Sequence, residues 1–284
     1  MRIENENLNP AEKPSSILNP QSSIPPDGAI GVFDSGVGGL TVFREIARAL
    51  PREPLIYLGD SARVPYGTKS PATVVRYSLE AAQHLMSRNV KMLVVACNTA
   101  TAAALPILKQ QLSIPVIGVV EPGARAAVER TSGVVGVIAT EGTVRSKAYT
   151  NAIRALDPDI EVIESAAPLF VPLAEEGWAN THVAREVAEI YLEPLIDAGI
   201  DTLVLGCTHY PILRNTIEAV VGDVVQIVDS AETTAMVVRE ALGRSAGIAR
   251  PEHHFLVTDA EERFRRIAGE FLEQEIMNLE LVTL

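Results

Sequence analysis

MLVVACNT (residues 92–99) and LVLGCTH (residues 203–209) decide the fold. Each is an apolar run without polar alternation, the pattern of a strand covered on both faces. Each ends on a cysteine and passes at once into polar residues. Two further pairs repeat in the same order. AIGVFDSGVGG (29–39) matches VVGVIATEGTV (134–144), and VVEPGA (119–124) matches IVDSAE (227–232). The offsets are 105, 110 and 108 residues. Such constancy predicts two similar α/β units.

The rest of the chain fits that plan. Strands are expected at 30–33, 55–58, 92–96, 115–119, 134–139, 160–163, 202–206, 224–228, 254–258 and 279–283. Helical stretches alternate with them, at 39–49, 71–88, 99–111, 122–131, 143–155, 181–198, 210–220, 230–242 and 259–273. This alternation implies parallel sheets with right-handed crossovers. The predicted fold class is α/β, with two similar α/β domains, mostly parallel sheets, pseudo-two-fold symmetry and an active site in the cleft between them. The first domain is expected to comprise 29–119 plus 236–284, and the second 120–235. In parallel sheets the active groups sit at the carboxyl ends of strands. Two facing units therefore bring both cysteines to one cleft.

Residues 1–28 stand apart, with Pro10, Pro14, Pro20, Pro25 and Pro26 among Asn, Ser and Glu. Little apolar surface is available there to offset ordering entropy, so a disordered tail is expected. The 284-residue chain is 47% hydrophobic and 21% charged, an ordinary globular composition. Its net charge of −12 argues against general binding to phosphate backbones or anionic lipid, so neither a nucleic-acid nor a membrane partner is expected. Two cysteines are too few for a disulfide scaffold. With no secretory signal pattern and no long apolar run, a cytoplasmic protein with reduced thiols is expected.

Chemistry concentrates at the strand ends. A cysteine between a strand and a helix N-terminus lies near unpaired N–H groups and the positive end of the helix dipole, which is expected to lower its pKa. Cys97 and Cys207 both occupy such a place. His209 follows Cys207 by two residues and is able to orient or deprotonate a thiol. Asp34 and Ser35 end the first strand, and Gly36, Gly38 and Gly39 permit close backbone approach. Arg63, Tyr66 and Gly67 lie in GDSARVPYG (59–67), and Glu175 and Glu176 end PLFVPLAEEG (168–177). Trp178 is read as a packing residue. Metal binding is disfavoured, because two Cys and one His lack zinc-site spacing. Neither a dinucleotide fingerprint nor a Walker A loop occurs, and no lysine stands beside the constellation to carry a pyridoxal cofactor.

Together, GVFDSGVGGLTV, GDSARVPYG, ACNTATA, PLFVPLAEEG and GCTHYP resemble the motifs of glutamate racemases, cofactor-independent members of the aspartate/glutamate racemase superfamily. The resemblance covers roughly residues 29–275. It implies that Cys97 and Cys207 are the acid/base thiols, Cys207 facing the L form and Cys97 the D form. It assigns substrate contacts to Asp34, Ser35, Tyr66, Gly67, Asn98, Thr99, Thr208 and His209. By the same resemblance Glu175, with Glu176 a near tie, supports the Cys207–His209 side, and Asp34 supports Cys97. No cofactor or metal is implied. The implied partners are L- and D-glutamate and a second copy of the chain in a homodimer, and the implied role is D-glutamate supply for peptidoglycan. Aspartate or hydantoin racemases remain alternatives within the superfamily, and a non-catalytic two-domain ligand-binding module is an alternative outside it. Presence of both cysteines disfavours a decarboxylase, which keeps one.

Overall fold

A computed structural model describes residues 27–243 and 251–284. Most of the expected 1–28 tail therefore lies outside the described residues. The chain runs β1 (Ala29–Asp34), α1 (Leu40–Ala49), β2 (Leu55–Gly59), α2 (Pro71–Ser87), β3 (Val90–Val95), α3 (Asn98–Gln111), β4 (Val116–Gly118) and α4 (Val120–Arg130). It continues through β5 (Val134–Ala139), α5 (Glu141–Ser146), α6 (Ala148–Leu156), β6 (Glu161–Ala166), α7 (Phe170–Glu175), α8 (His182–Asp197) and β7 (Thr202–Gly206). Last come α9 (Arg214–Val221), β8 (Gln226–Asp229), α10 (Ser230–Leu242), β9 (His254–Val257), α11 (Glu261–Leu272) and β10 (Leu279–Leu281).

Two sheets result, with strand orders β10-β9-β2-β1-β3-β4 and β6-β5-β7-β8. All strand pairings among the described residues are parallel. The order β2-β1-β3-β4 reappears as β6-β5-β7-β8, so the sequence repeat is a repeat of topology. Register agrees as well. Phe33 pairs with Val95, and the residues 105 and 110 positions later, Ile138 and Leu205, pair with each other. A shared register forces Cys97 and Cys207 to corresponding ends of corresponding strands.

Burial explains the strands. Every residue of β1, β3 and β7 is buried, because helices cover both faces of a parallel sheet. A single apolar cluster joins Ile30, Val32 and Met92 of the first sheet to Leu203, Leu205 and Ile227 of the second. Between the sheets, α10 packs on both α1 and α4. Local signals set the helix starts. Ser70 accepts the Thr73 N–H at 3.3 Å ahead of Pro71, and Asp229 accepts the Ala231 N–H at 2.8 Å.

Two expectations need correction. The helix expected over 143–155 is two helices, because Lys147 adopts a left-handed conformation (φ 56°) and turns the chain between α5 and α6. Trp178 is not a packing residue, since it is 51% exposed. It follows α7 in a surface turn, where its backbone carbonyl accepts from the Thr181 hydroxyl at 2.8 Å.

Candidate active site

The end of β3 delivers Cys97 to the N-cap of α3, where its Sγ accepts the Ala100 N–H at 3.4 Å. The thiol donates to the Ser35 hydroxyl at 3.6 Å, and Ser35 is held there by the end of β1. This is the helix-terminus geometry read from the sequence, yet the expected pKa shift has the wrong sign. Burial pushes the Cys97 thiol up to about 12, the nearby Asp34 carboxylate adds to the rise, and the Ala100 N–H and Ser35 only partly offset it. Cys97 is therefore held as the protonated thiol.

Cys207 follows β7 in the corresponding place but meets different neighbours. Its Sγ lies 3.8 Å from His209 Nδ1. His209 Nε2 lies 3.1 Å from Glu175 Oε1, and Arg263 Nη2 donates to Glu175 Oε2 at 3.0 Å. Burial alone would lower the imidazole pKa. Contact with Cys207 and Glu175 outweighs it and holds His209 up to about 10. Glu175 is pulled below the usual carboxylate range, because His209 and Arg263 overcome its own desolvation. The Phe271 ring packs edge-on against His209, with centroids 5.5 Å apart, and covers the imidazole face. Glu176 is half-exposed and bonds Arg263 at 3.1 Å.

Both sulfurs line one pocket, together with Ser35, Tyr66, Gly67, Asn98, Thr99, Glu175, Thr208 and His209. Of the substrate contacts implied by the resemblance, Asp34 alone stands behind the wall. It is fully buried, its Oδ2 accepts the Gly36 N–H at 2.9 Å, and its Oδ1 accepts the Thr208 hydroxyl at 3.5 Å. Burial raises its pKa, against the pull of His209 and the backbone N–H groups of Gly36, Gly39 and Ser35. The carboxylate thus touches the Cys207 side and acts on Cys97 through space. The two halves approach closely at Gly38: a Cβ there would lie 2.4 Å from His209 Nδ1 and Thr208 Oγ1. Tyr66 lines the pocket, but its hydroxyl is turned to Asp60, at 2.5 Å. Arg63 ties Asp60 to Glu80 and stacks on Tyr77, which stiffens the loop without entering the pocket.

Three residues of this region went unnoticed in the sequence. Thr140 lines the pocket, and its hydroxyl lies 2.9 Å from that of Thr99. Thr143 closes the triangle, at 3.2 Å from Thr99 and 3.1 Å from Thr140. Tyr149 donates to Asn98 at 2.7 Å. A signal existed for Thr140, because the 105-residue offset places it opposite Ser35. The pocket therefore presents two sulfurs in unequal electrostatic settings, hydroxyl and amide groups between them, and helix N-termini at its rim. Such a set is suited to binding a small anion and exchanging protons with it.

Comparison with known proteins agrees with this geometry. The family model described as Asp/Glu/Hydantoin racemase matches residues 30–238. A glutamate racemase of Geobacter metallireducens is 56% identical over 262 residues, spanning 90% of this chain and 97% of that protein. Among solved structures, a glutamate racemase isoform of Bacillus anthracis superposes with a TM-score of 0.88 at 43% identity, covering 90% of this chain and 98% of the other. A glutamate racemase of Francisella tularensis, solved in complex with D-glutamate, gives a TM-score of 0.85 at 38% identity over 91% of this chain and 98% of its own. With a family match over most of its length and close relatives of a single kind, the chain belongs to the Asp/Glu/Hydantoin racemase family, in its glutamate racemase branch.

Proposed function

We propose that the chain interconverts L- and D-glutamate by a cofactor-independent two-thiol 1,1-proton transfer and so supplies D-glutamate for peptidoglycan. The observation that carries this reading is the pair of strand-end cysteines on one pocket, one held as a thiol and the other clamped against a protonated histidine. Inverting a stereocentre by proton exchange removes the α-proton from one face of Cα and returns another to the opposite face. That requires a base on one side and an acid on the other, which exchange roles after each turnover. The Cys207 side serves as base toward the L form while Cys97 donates, and the reverse reaction exchanges them. His209 and Glu175 stabilise charge on the Cys207 side.

The α-proton of an amino acid is only weakly acidic, so the site has to stabilise carbanion-like charge. Backbone N–H groups in the first turn of α3 and the side chains of Asn98, Thr99 and Thr208 are suited to hold the substrate carboxylates. Ser35, Tyr66, Gly67 and His209 complete the substrate contacts in this reading, and Asp34 orders Thr208 from behind the wall. Domain limits at 29–119 plus 236–284 and at 120–235, a homodimer and a cytoplasmic location belong to the same proposal. The D-glutamate in the Francisella structure supports the substrate class.

The test is deuterium incorporation at Cα in heavy water with no pyridoxal phosphate or metal added. Both enantiomers of glutamate are expected to exchange and to lose optical rotation. Aspartate that racemises while glutamate does not would move the reading to another branch of the family.

A further inference from the structure

Asn98 is 2% exposed and lines the pocket directly after Cys97. A carboxamide has two ends of opposite character: Oδ1 accepts and Nδ2 donates. Rotation by 180° about its last bond exchanges them with almost no change in shape. A rigid neighbour must therefore decide which end the pocket sees. Here Tyr149 donates its hydroxyl to Oδ1 at 2.7 Å, and Nδ2 has no hydrogen-bond partner among the described residues. A buried amide donor without a partner is costly, and the pocket is where a partner would sit.

Tyr149 is well placed to enforce this orientation. It comes from α6, beside the second sheet, and reaches across to the α3 terminus of the first. Its ring is fully buried. Gly206, the residue before Cys207, is close enough that a Cβ there would lie 3.0 Å from Tyr149 Cε2. On the other side, a Cβ on Gly123 would lie 3.3 Å from the Tyr149 hydroxyl oxygen. The ring thus packs closely between two glycines. Burial, the leading cause, raises the phenol well above its ordinary pKa, so the hydroxyl keeps the proton that it donates to Oδ1.

We infer that Tyr149 is a positioning residue for substrate binding, which fixes the Asn98 amide so that its Nδ2 donor faces a carboxylate of the bound amino acid. With the amide reversed, Oδ1 would face the substrate and repel a carboxylate, and the Tyr149 hydroxyl would have to accept from Nδ2 instead of donating to Oδ1. One phenol thus couples the strand carrying one thiol to the ligand contact beside the other.

The inference rests on the reading of the pocket as an amino-acid site, and binding separates it from turnover. D-glutamate affinity is measured calorimetrically, and kcat and KM are measured alongside, for wild type, Tyr149→Phe, Asn98→Ala and the double variant. Tyr149→Phe is expected to weaken binding and raise KM by roughly three- to tenfold, the value of one net hydrogen bond, with kcat changed less than KM. In the Asn98→Ala background, adding Tyr149→Phe is expected to have no further effect on affinity. Two results would overturn the inference: Tyr149→Phe binding like wild type, or the two effects multiplying in the double variant. Asn98→Asp gives a check that leaves Tyr149 untouched. It presents an acceptor in either orientation and should bind D-glutamate worse than Asn98→Ala, and normal binding by Asn98→Asp would also overturn the claim. A wild-type protein that binds glutamate but does not racemise it would refute the proposed function and leave this coupling measurable.

Discussion

The Cys97 half and the Cys207 half are the same in backbone and different in charge. Both cysteines follow the equivalent strand of a β-β-β-β order that occurs twice, in the same register. Around Cys97 stand a neutral hydroxyl, a helix N–H and a buried carboxylate, and burial keeps the sulfur protonated. Around Cys207 stand an imidazole held up to about 10, a carboxylate behind it and Arg263 behind that. The repeat explains this directly. Thr99 and His209 occupy the same position after their cysteines, and Ala139 stands where the first half has Asp34. Duplicated backbone places two sulfurs symmetrically, and a few side-chain differences give them unlike electrostatic surroundings. A reaction that needs one base and one acid at the same moment gains from that asymmetry.

The strongest way to break the comparison is to remove each sulfur in turn. Cys97→Ser and Cys207→Ser are each expected to lower racemisation by roughly 10³-fold or more, at the upper end of what a positioned acid or base contributes. Melting temperatures should stay close to wild type, because the change is isosteric. The direction of the residual chemistry is more telling. Elimination from a glutamate analogue with a β-leaving group needs only proton abstraction. The two variants should therefore eliminate from opposite enantiomers, Cys97→Ser from the L form and Cys207→Ser from the D form. The same preference in both would rule out thiols on opposite faces.

A smaller effect sharpens the charge difference. His209→Asn removes the imidazolium but keeps a polar side chain, and is expected to cost about 10²-fold in kcat, the lower end of a general acid–base contribution. Linkage supplies an independent measurement. The folded pKa of His209, about 10, lies above its ordinary 6.5. Its contribution to stability is therefore fully present below pH 6.5 and lost as pH rises through about 10. Cys97, raised from 9.0 to about 12, has the same sign in a higher window. Denaturant midpoints should fall between pH 7 and 10 in the wild type and stay flatter in His209→Asn. Equal slopes would mean that His209 is not held protonated. Cys97→Ser should leave this window unchanged and alter the profile only above pH 9, where the thiol of the unfolded chain begins to titrate.

Much of this was legible in the sequence because it is periodic. Apolar runs of strand length at offsets near 105 to 110 specify two sheets of like order, and each expected strand is present to within a few residues. The groups that line the pocket were legible because they sit at strand ends, a place that topology fixes. What stayed hidden depends on packing between distant segments. The turn at Lys147 has no glycine to announce its positive φ. Tyr149 and Thr143 reach Asn98 and Thr99 across the gap between the sheets, which no local pattern records. The Tyr66 hydroxyl is taken by Asp60. The Cys97 pKa went the other way because desolvation of a buried thiol exceeds the pull of one helix terminus, and burial is a property of the assembled core.

The last and smallest effects concern the two adjacent glutamates, of which the motif resemblance favours Glu175 with Glu176 a near tie. Glu175 is partly buried, touches His209 and lines the pocket, whereas Glu176 bonds Arg263 and faces solvent. Arg263 bridges both, but it is half-exposed, and exposed ion pairs contribute only about 0–1 kcal/mol. Glu175→Gln keeps a group able to bond His209 while removing the charge that holds its proton, so a loss of about tenfold in kcat is expected, near that of a charge-assisted hydrogen bond. Arg263→Ala acts one step further out and should cost about threefold or less, in line with a screened surface contact. Glu176→Gln should change kcat by less than about twofold, because a solvent-facing partner of Arg263 is readily replaced by water. The rank order decides the matter more than any single value. If the charge chain runs from Cys207 through His209 to Glu175, effects must decline with each step outward. A Glu176 variant as impaired as the Glu175 variant would place the supporting carboxylate elsewhere, and would leave the Cys207 half without the feature that distinguishes it from the Cys97 half.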